Sequence, residues 1–484
     1  MSTPFRRTRI ATAVAGIAFA LGTGQAVAAG FALQESNGSG LGNAYAGGAA
    51  VAEDASTVWA NPAGMSRLPT MQVAMAMNLV KPSMKFSNNG SINALTQPLG
   101  GDGGDAGGLN FVPAMYLTVP INKAWSFGIG MSGPFGLVTE YDDGWAGRFQ
   151  AIKSDVKTVN INPALSWKIN EAFAVGAGFS YQQLKGTFTA NANYSALMGQ
   201  AYGGLAAAGA IPASLVPTLI ASTPGLESFV SISGDDWSWG WNIGGLWNLD
   251  KNNRIGVHWR SDITYKVTGN AEVCNPAANT ATGYCGVLLP TVPSTIAPIV
   301  SATSAAVNRS ALASGGVYAD IKVPGIANVS YFGTLNDRWD VMADVQWTHW
   351  STIQDLTFVR NTGTVFSSVP LVFEDSWRVS GGANYKYSDQ WMFRGGVAWD
   401  QTPVQDAHRT ARLPDSDRIW VNLGVQYKYG KNWRIDLGGS YIFVQEGDIA
   451  EYSTNPSDVA AYGYLKGNYS NNVIILGGQA TYSF

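Results

Sequence analysis

Apolar and polar side chains alternate with period two along much of this 484-residue chain. At the C-terminus Ile474, Leu476, Gly478, Ala480, Tyr482 and Phe484 share one face, while Gly477, Gln479, Thr481 and Ser483 share the other. Val341, Ala343, Val345 and Trp347 likewise alternate with Asp340, Asp344, Gln346 and Thr348. Ile435, Leu437, Gly439, Tyr441 and Phe443 oppose Arg434, Asp436 and Ser440. Successive side chains of a strand point to opposite faces, so the pattern predicts β-structure. Fourteen strands are expected, near 70–87, 109–120, 124–140, 154–169, 172–189, 235–250, 252–270, 320–335, 337–350, 375–388, 390–401, 417–430, 432–447 and 470–484. Tight turns such as Ile121-Asn122-Lys123, Lys251-Asn252 and Gly430-Lys431 alternate with connections of roughly 15 to 50 residues.

Alternation alone does not choose between a soluble sandwich, with its apolar face inside, and a membrane barrel, with its apolar face on lipid. Short turns at one end, long loops at the other and both termini on the short side describe the barrel. Trp and Tyr recur near strand ends, as at Trp125, Trp167, Trp247, Trp259, Trp391 and Trp399, where interfacial girdles place them. Arg6, Arg7 and Arg9, then an apolar stretch from Ile10 to Leu21 and Ala26-Val27-Ala28, read as a secretory signal peptide over residues 1–28. That stretch is shorter than the roughly 20 apolar residues a retained anchor needs. No later apolar run reaches the length of a membrane helix. An exported chain then crosses a bilayer only as a closed barrel, which satisfies every strand-edge amide.

Composition narrows the chemistry. A net charge of -3 gives no basic surface for nucleic acid, and 3 His with 2 Cys argue against a metal centre or other cofactor. His258 stands near Asp262, but no Ser in a nucleophile setting accompanies them, so an enzyme is not expected.

Other residues are familiar. Ala29-Gly30-Phe31-Ala32-Leu33, Gly40-Leu41-Gly42-Asn43-Ala44-Tyr45 and the run from Glu53 to Gly64, with Asn61-Pro62-Ala63 inside it, resemble the long-chain fatty acid outer-membrane transporter family (FadL type). The likeness continues through Gly240-Trp241-Asn242, Leu249 to Arg254, Trp399 to Val404, Asp415, Asp417, Arg418 and Trp420. It implies an all-β, 14-stranded antiparallel transmembrane barrel in the Gram-negative outer membrane, with an N-terminal plug in the lumen. It also implies a kink in the third strand, and transport of fatty acids or, as in relatives serving degradative pathways, monoaromatic hydrocarbons or alkanes. A monomer is expected. The residues themselves suit a plug at 29–69, ahead of a barrel at 70–484: the segment is glycine-rich, lacks alternation and is too short for a core of its own.

Three features bear on a hydrophobic cargo. The connections from Asn191 to Ser233 and from Val287 to Val307 are apolar enough for short amphipathic helices, either gathering ligand or packing together as a lid. Gly133-Pro134-Phe135-Gly136 interrupts the third strand, because proline cannot donate to a ladder; a wall gap there would release ligand sideways into lipid, the alternative being a strand that ends at its proline. Lys185, Arg260, Arg378, Arg394 and Arg434 are assigned to lumen faces, with Lys185, Arg378 and Arg394 the candidate partners of a ligand carboxylate. Asp340, Asp344, Asp400 and Asp436 point inward too and compete for them. Finally, Cys274 and Cys285 share one exterior loop, either as free thiols or as a local disulfide worth on the order of 2 to 3 kcal/mol.

Overall fold

The computed structural model describes residues 29–276, 288–451 and 455–484, so the signal peptide expected at 1–28 lies outside the described residues. The wall consists of β1 (Gln72–Asn88), β2 (Asn110–Pro120), β3 (Trp125–Ser132, continued by Gly136–Glu140), β4 (Lys153–Lys168), β5 (Phe173–Asn193), β6 (Glu227–Asn248) and β7 (Asn253–Arg260, continued by Ile263–Cys274). It continues through β8 (Gly315–Val323 and Ile326–Thr334), β9 (Trp339–Thr348 and Asp355–Arg360) and β10 (Val365–Pro370 and Ser376–Lys386). It ends with β11 (Trp391–Asp400), β12 (Arg418–Tyr429), β13 (Trp433–Val444 and Gly447–Glu451) and β14 (Leu465–Ser483). Each strand pairs antiparallel with its sequence neighbours, and β1 closes the ring by opposing Thr118 and Ser483 with its Gln72. The result is a closed 14-stranded antiparallel barrel.

The alternation is inverted relative to a soluble protein. Leu423 is 71% exposed on the outer surface, whereas Asp436, Asn422 and Gln426 are buried inside. Outward aromatics stack in two bands: Trp125 on Trp167 (5.6 Å) beside the short turns, and Trp259 on Trp347 (6.0 Å) toward the long loops. Amphipathic rings at these two levels mark the lipid–water boundaries.

Strands extend further at the loop end than the sequence predicts. β6 starts at Glu227 and β14 at Leu465, and the supposed loop after residue 350 contains a hairpin in which Asp355 opposes Pro370. Above the bilayer the outer face meets water, so period-two contrast fades while the hydrogen-bond ladder continues.

Short helices complete the fold: α1 (Gly48–Val51), α2 (Thr57–Ala60), α3 (Tyr194–Ala207), α4 (Val216–Ala221), α5 (Ala297–Arg309) and α6 (Pro456–Tyr462). The two apolar connections do form helices, and these pack on one another: Tyr194, Met198 and Tyr202 of α3, Leu219 of α4, and Val300 and Val307 of α5 share one buried cluster. The N-terminal segment packs against the inner face of the wall. Its backbone approaches so closely that inward glycines of the wall are required: a Cβ at Gly244 would lie 2.0 Å from Asn61 Oδ1, and one at Gly256 2.0 Å from the Ala49 carbonyl oxygen.

Candidate functional site

Polar groups tie the N-terminal segment to the inner wall. Asn61, fully buried, donates from Nδ2 to the carbonyls of Ala49 (2.7 Å) and Gly245 (3.0 Å), and its Oδ1 accepts from Ala63 N (3.0 Å). Pro62, lacking a donor, starts a 3-10 turn there. Arg394 Nη2 lies 2.8 Å from Glu53 Oε1 and 3.0 Å from Asp436 Oδ1. Arg434 reaches Asp54 at 3.0 Å, and Arg378 donates to the Ala44 carbonyl at 2.8 Å. Glu35 differs: it is fully buried, both its carboxylate oxygens have no hydrogen-bond partner among the described residues, and burial raises its pKa to about 7.

The placement of the cations corrects one part of the sequence reading. Lys185 is exposed on the outer face opposite Asp235, because Gln182 and Leu184 point inward and parity turns 185 outward. Arg394 and Arg378 do face the lumen, but there they hold Glu53, Asp436 and the Ala44 carbonyl.

β3 is interrupted between Ser132 and Gly136. Its ladder with β2 ends at Met115↔Met131, and among the wall strands the upper part of β3 has a ladder only with β4. The N-terminal segment occupies the break from inside. Leu33 N donates to the Pro134 carbonyl, Gly136 N donates to the Phe31 carbonyl (both 2.8 Å), and Ala32 bridges Phe135. Phe135 is buried, with its ring 5.8 Å from that of Phe31. Gly133 borders a recess of about 890 Å³ that reaches both faces of the wall: Met75, Met77 and Phe111 line it from outside, and Leu33 from within. Methionine side chains adapt readily to apolar shapes, and Met115 and Met131 line it as well.

A second cavity, of about 410 Å³, lies toward the long loops. Phe31, Leu137, Val156, Leu184, Phe188, Ile353, Phe373 and Leu413 give it an apolar lining. Arg412, which the sequence reading did not single out, lines it too; burial pushes its pKa down to about 10. Among the described residues its Nη1 makes two long contacts, 3.4 Å, to the Lys153 carbonyl and Ser154 Oγ, and its guanidinium lies 5.7 Å from the Phe188 ring and within the field of Glu451. Cys274 is not a free thiol; Cys285 lies outside the described residues.

A closed barrel with a lipid-facing apolar belt, an N-terminal segment packed inside it, an apolar internal cavity and a recess in its wall defines an outer-membrane transport protein. The chain belongs to the outer membrane protein transport protein family (OMPP1/FadL/TodX), whose model matches residues 19–484. It is 30% identical over 457 residues to the long-chain fatty acid transport protein of Shigella flexneri, covering 92% of this chain and 95% of that one. Its identity to the protein of the same description from Escherichia coli K12 is 29% over 452 residues, with 92% and 95% covered. Among solved structures, a Pseudomonas aeruginosa FadL homologue superposes with a TM-score of 0.80 at 26% identity, covering 94% of this chain and 100% of that one. The Pseudomonas putida toluene transporter TodX shares the fold at a TM-score of 0.62 and 16% identity, with 93% and 98% covered.

Proposed function

We propose that this protein takes up long-chain fatty acids passively across the outer membrane, acting as a monomer, with residues 29–69 as a plug in the barrel formed by residues 70–484. Ligand gathers at the α3–α5 cap and enters the 410 Å³ cavity, whose volume falls within the roughly 300–1,000 Å³ of small-molecule sites. Arg412 takes the carboxylate. A shift of the N-terminal segment then opens the way to the recess at β3, and the chain leaves sideways into lipid without crossing periplasmic water.

One observation carries this route. The cavity and the wall recess are lined by two residues of the same stretch, Phe31 in the first and Leu33 in the second. A small displacement of that stretch would therefore act on both. The relatives described as long-chain fatty acid transport proteins favour a fatty acid, as does a cation beside the apolar cavity. Monoaromatic hydrocarbons are the second reading, supported by the fold shared with TodX. An open diffusion pore is disfavoured by the packing of the N-terminal segment against the inner wall.

Radiolabelled oleate and toluene uptake, measured in a host without its own transporter, separates the two substrates: oleate should accumulate and toluene should not. Replacing Pro134 by Val, which restores a ladder donor, should lower oleate uptake severalfold while the barrel stays folded. Unchanged uptake would remove β3 from the route.

A further inference from the structure

We propose that the barrel wall has a second opening, between β8 and β9, which admits a single apolar chain from the outer leaflet directly into the 410 Å³ cavity. The inference rests on the transport reading above and adds a second way in. β8 and β9 pair from Thr334↔Asp340 up to Ile326↔Thr348. Above that level the ladder stops, and it resumes only at Tyr318↔Val359 and Val317↔Arg360. Among the described residues, 319–324 and 350–358 form no cross-strand pair with each other. β8 keeps its other neighbour throughout, with Ala319↔Val267 through Val323↔Ile263 intact, so the gap arises where β9 departs.

β9 departs by folding into the lumen. Trp350 is buried there, its ring 4.9 Å from Phe31 and 5.9 Å from Phe373. β10 follows: Phe373 N donates to the Ile353 carbonyl (3.2 Å), and Leu371 N to that of Gln354 (2.8 Å). The return bend holds Val372 at φ +47°, a region that β-branched residues rarely enter, and surrounding packing must maintain such strain. Below the gap, His349 N donates to the Gly325 carbonyl (3.0 Å) and Asp262 Oδ1 accepts from Gly325 N (2.5 Å), fixing the lower lip.

The cavity lining supports reading the gap as a passage. Asp320, Ile321 and Lys322 are consecutive, and all three border the one cavity. Consecutive strand residues face opposite sides of a wall, so a cavity touching all three reaches through it. The lower lip lies beside Ala327, which pairs with both Trp259 and Trp347, so the opening sits just above the aromatic band, among lipid headgroups. An amphiphile in the outer leaflet would rest its head among Asp320 and Lys322 and pass its chain inward toward Ile321.

The test places one cysteine at the rim, Lys322→Cys, and one on the far wall at the exposed Asp448 of β13, Asp448→Cys. Each is biotinylated on deep-rough cells and then capped with avidin; Cys274, not being free, takes no label. Oleate uptake is compared for each variant before and after avidin, with labelling checked by gel shift. Avidin should cut uptake severalfold at position 322 and leave it unaltered at position 448. No loss at 322, or equal loss at both, overturns the second opening and leaves the transport reading standing. Absence of oleate uptake by the parent protein overturns the transport reading, and the opening with it.

Discussion

Arg394 is where the N-terminal segment can be uncoupled from the wall without touching the ladder. Its side chain is 1% exposed and holds Glu53 of the segment and Asp436 of β13 at 2.8 and 3.0 Å. Arg394→Ala leaves the buried Asp436 and the partly buried Glu53 with one cation fewer. Breaking a buried ion pair by removing one partner costs about 3–5 kcal/mol. At about 1.4 kcal/mol per tenfold, the ratio of seated to displaced segment falls by roughly 10²- to 4 × 10³-fold. The backbone of Arg394 still pairs with Asn384 and Gly424, so the barrel remains closed. In a planar bilayer the parent protein should conduct little, whereas Arg394→Ala should show frequent ion-conducting openings with normal heat-modifiable migration on gels. Adding Glu53→Gln and Asp436→Asn removes the stranded charges and should restore much of the closed state. The reasoning is refuted if Arg394→Ala conducts like the parent, or if the added changes leave its openings unaltered.

Glu35 makes seating pH-dependent. With its pKa raised from 4.5 to about 7, the seated state holds a proton that the displaced state releases, so seating is strongest below pH 4.5 and weakens as pH rises through about 7. The full effect is about 3 kcal/mol, read as protease cleavage within residues 29–69 that increases with pH in the parent and stays flat in Glu35→Gln. Gly244→Ala places a Cβ against Asn61 and should expose the same segment to protease at every pH; continued resistance would mean that the close approach is relaxed elsewhere. If Cys274 and Cys285 are bonded, reduction of the intact protein adds the mass of two hydrogens, and no shift excludes that pairing.

The strands inside the bilayer were legible because lipid and lumen impose opposite polarity on adjacent residues, as at Leu437 and Asp436. That contrast vanishes above the membrane, which is why the hairpin at Asp355–Pro370 read as a loop. It is also why Lys185, on an outer face that is already polar at that height, was assigned inward. The lumen cations were recognisable as a set, but the partners of Arg394 were not: Glu53 is far away in sequence and is brought near only by the path of the N-terminal segment through the barrel. Arg412 carried no signal of its own, since it sits in an irregular connection where periodicity says nothing. The turn of β9 into the lumen depends on Trp350 finding Phe31 and Phe373, a contact no local pattern encodes.

Oleate uptake by the double variant Ala32→Cys, Phe135→Cys tests the central claim most directly. These residues form an antiparallel bridge across the β3 break, within the separation a disulfide spans. A mobile segment at that break predicts that uptake stops when the pair is oxidised and returns on reduction. Equal uptake in both states, with the bond verified by mass, would contradict it.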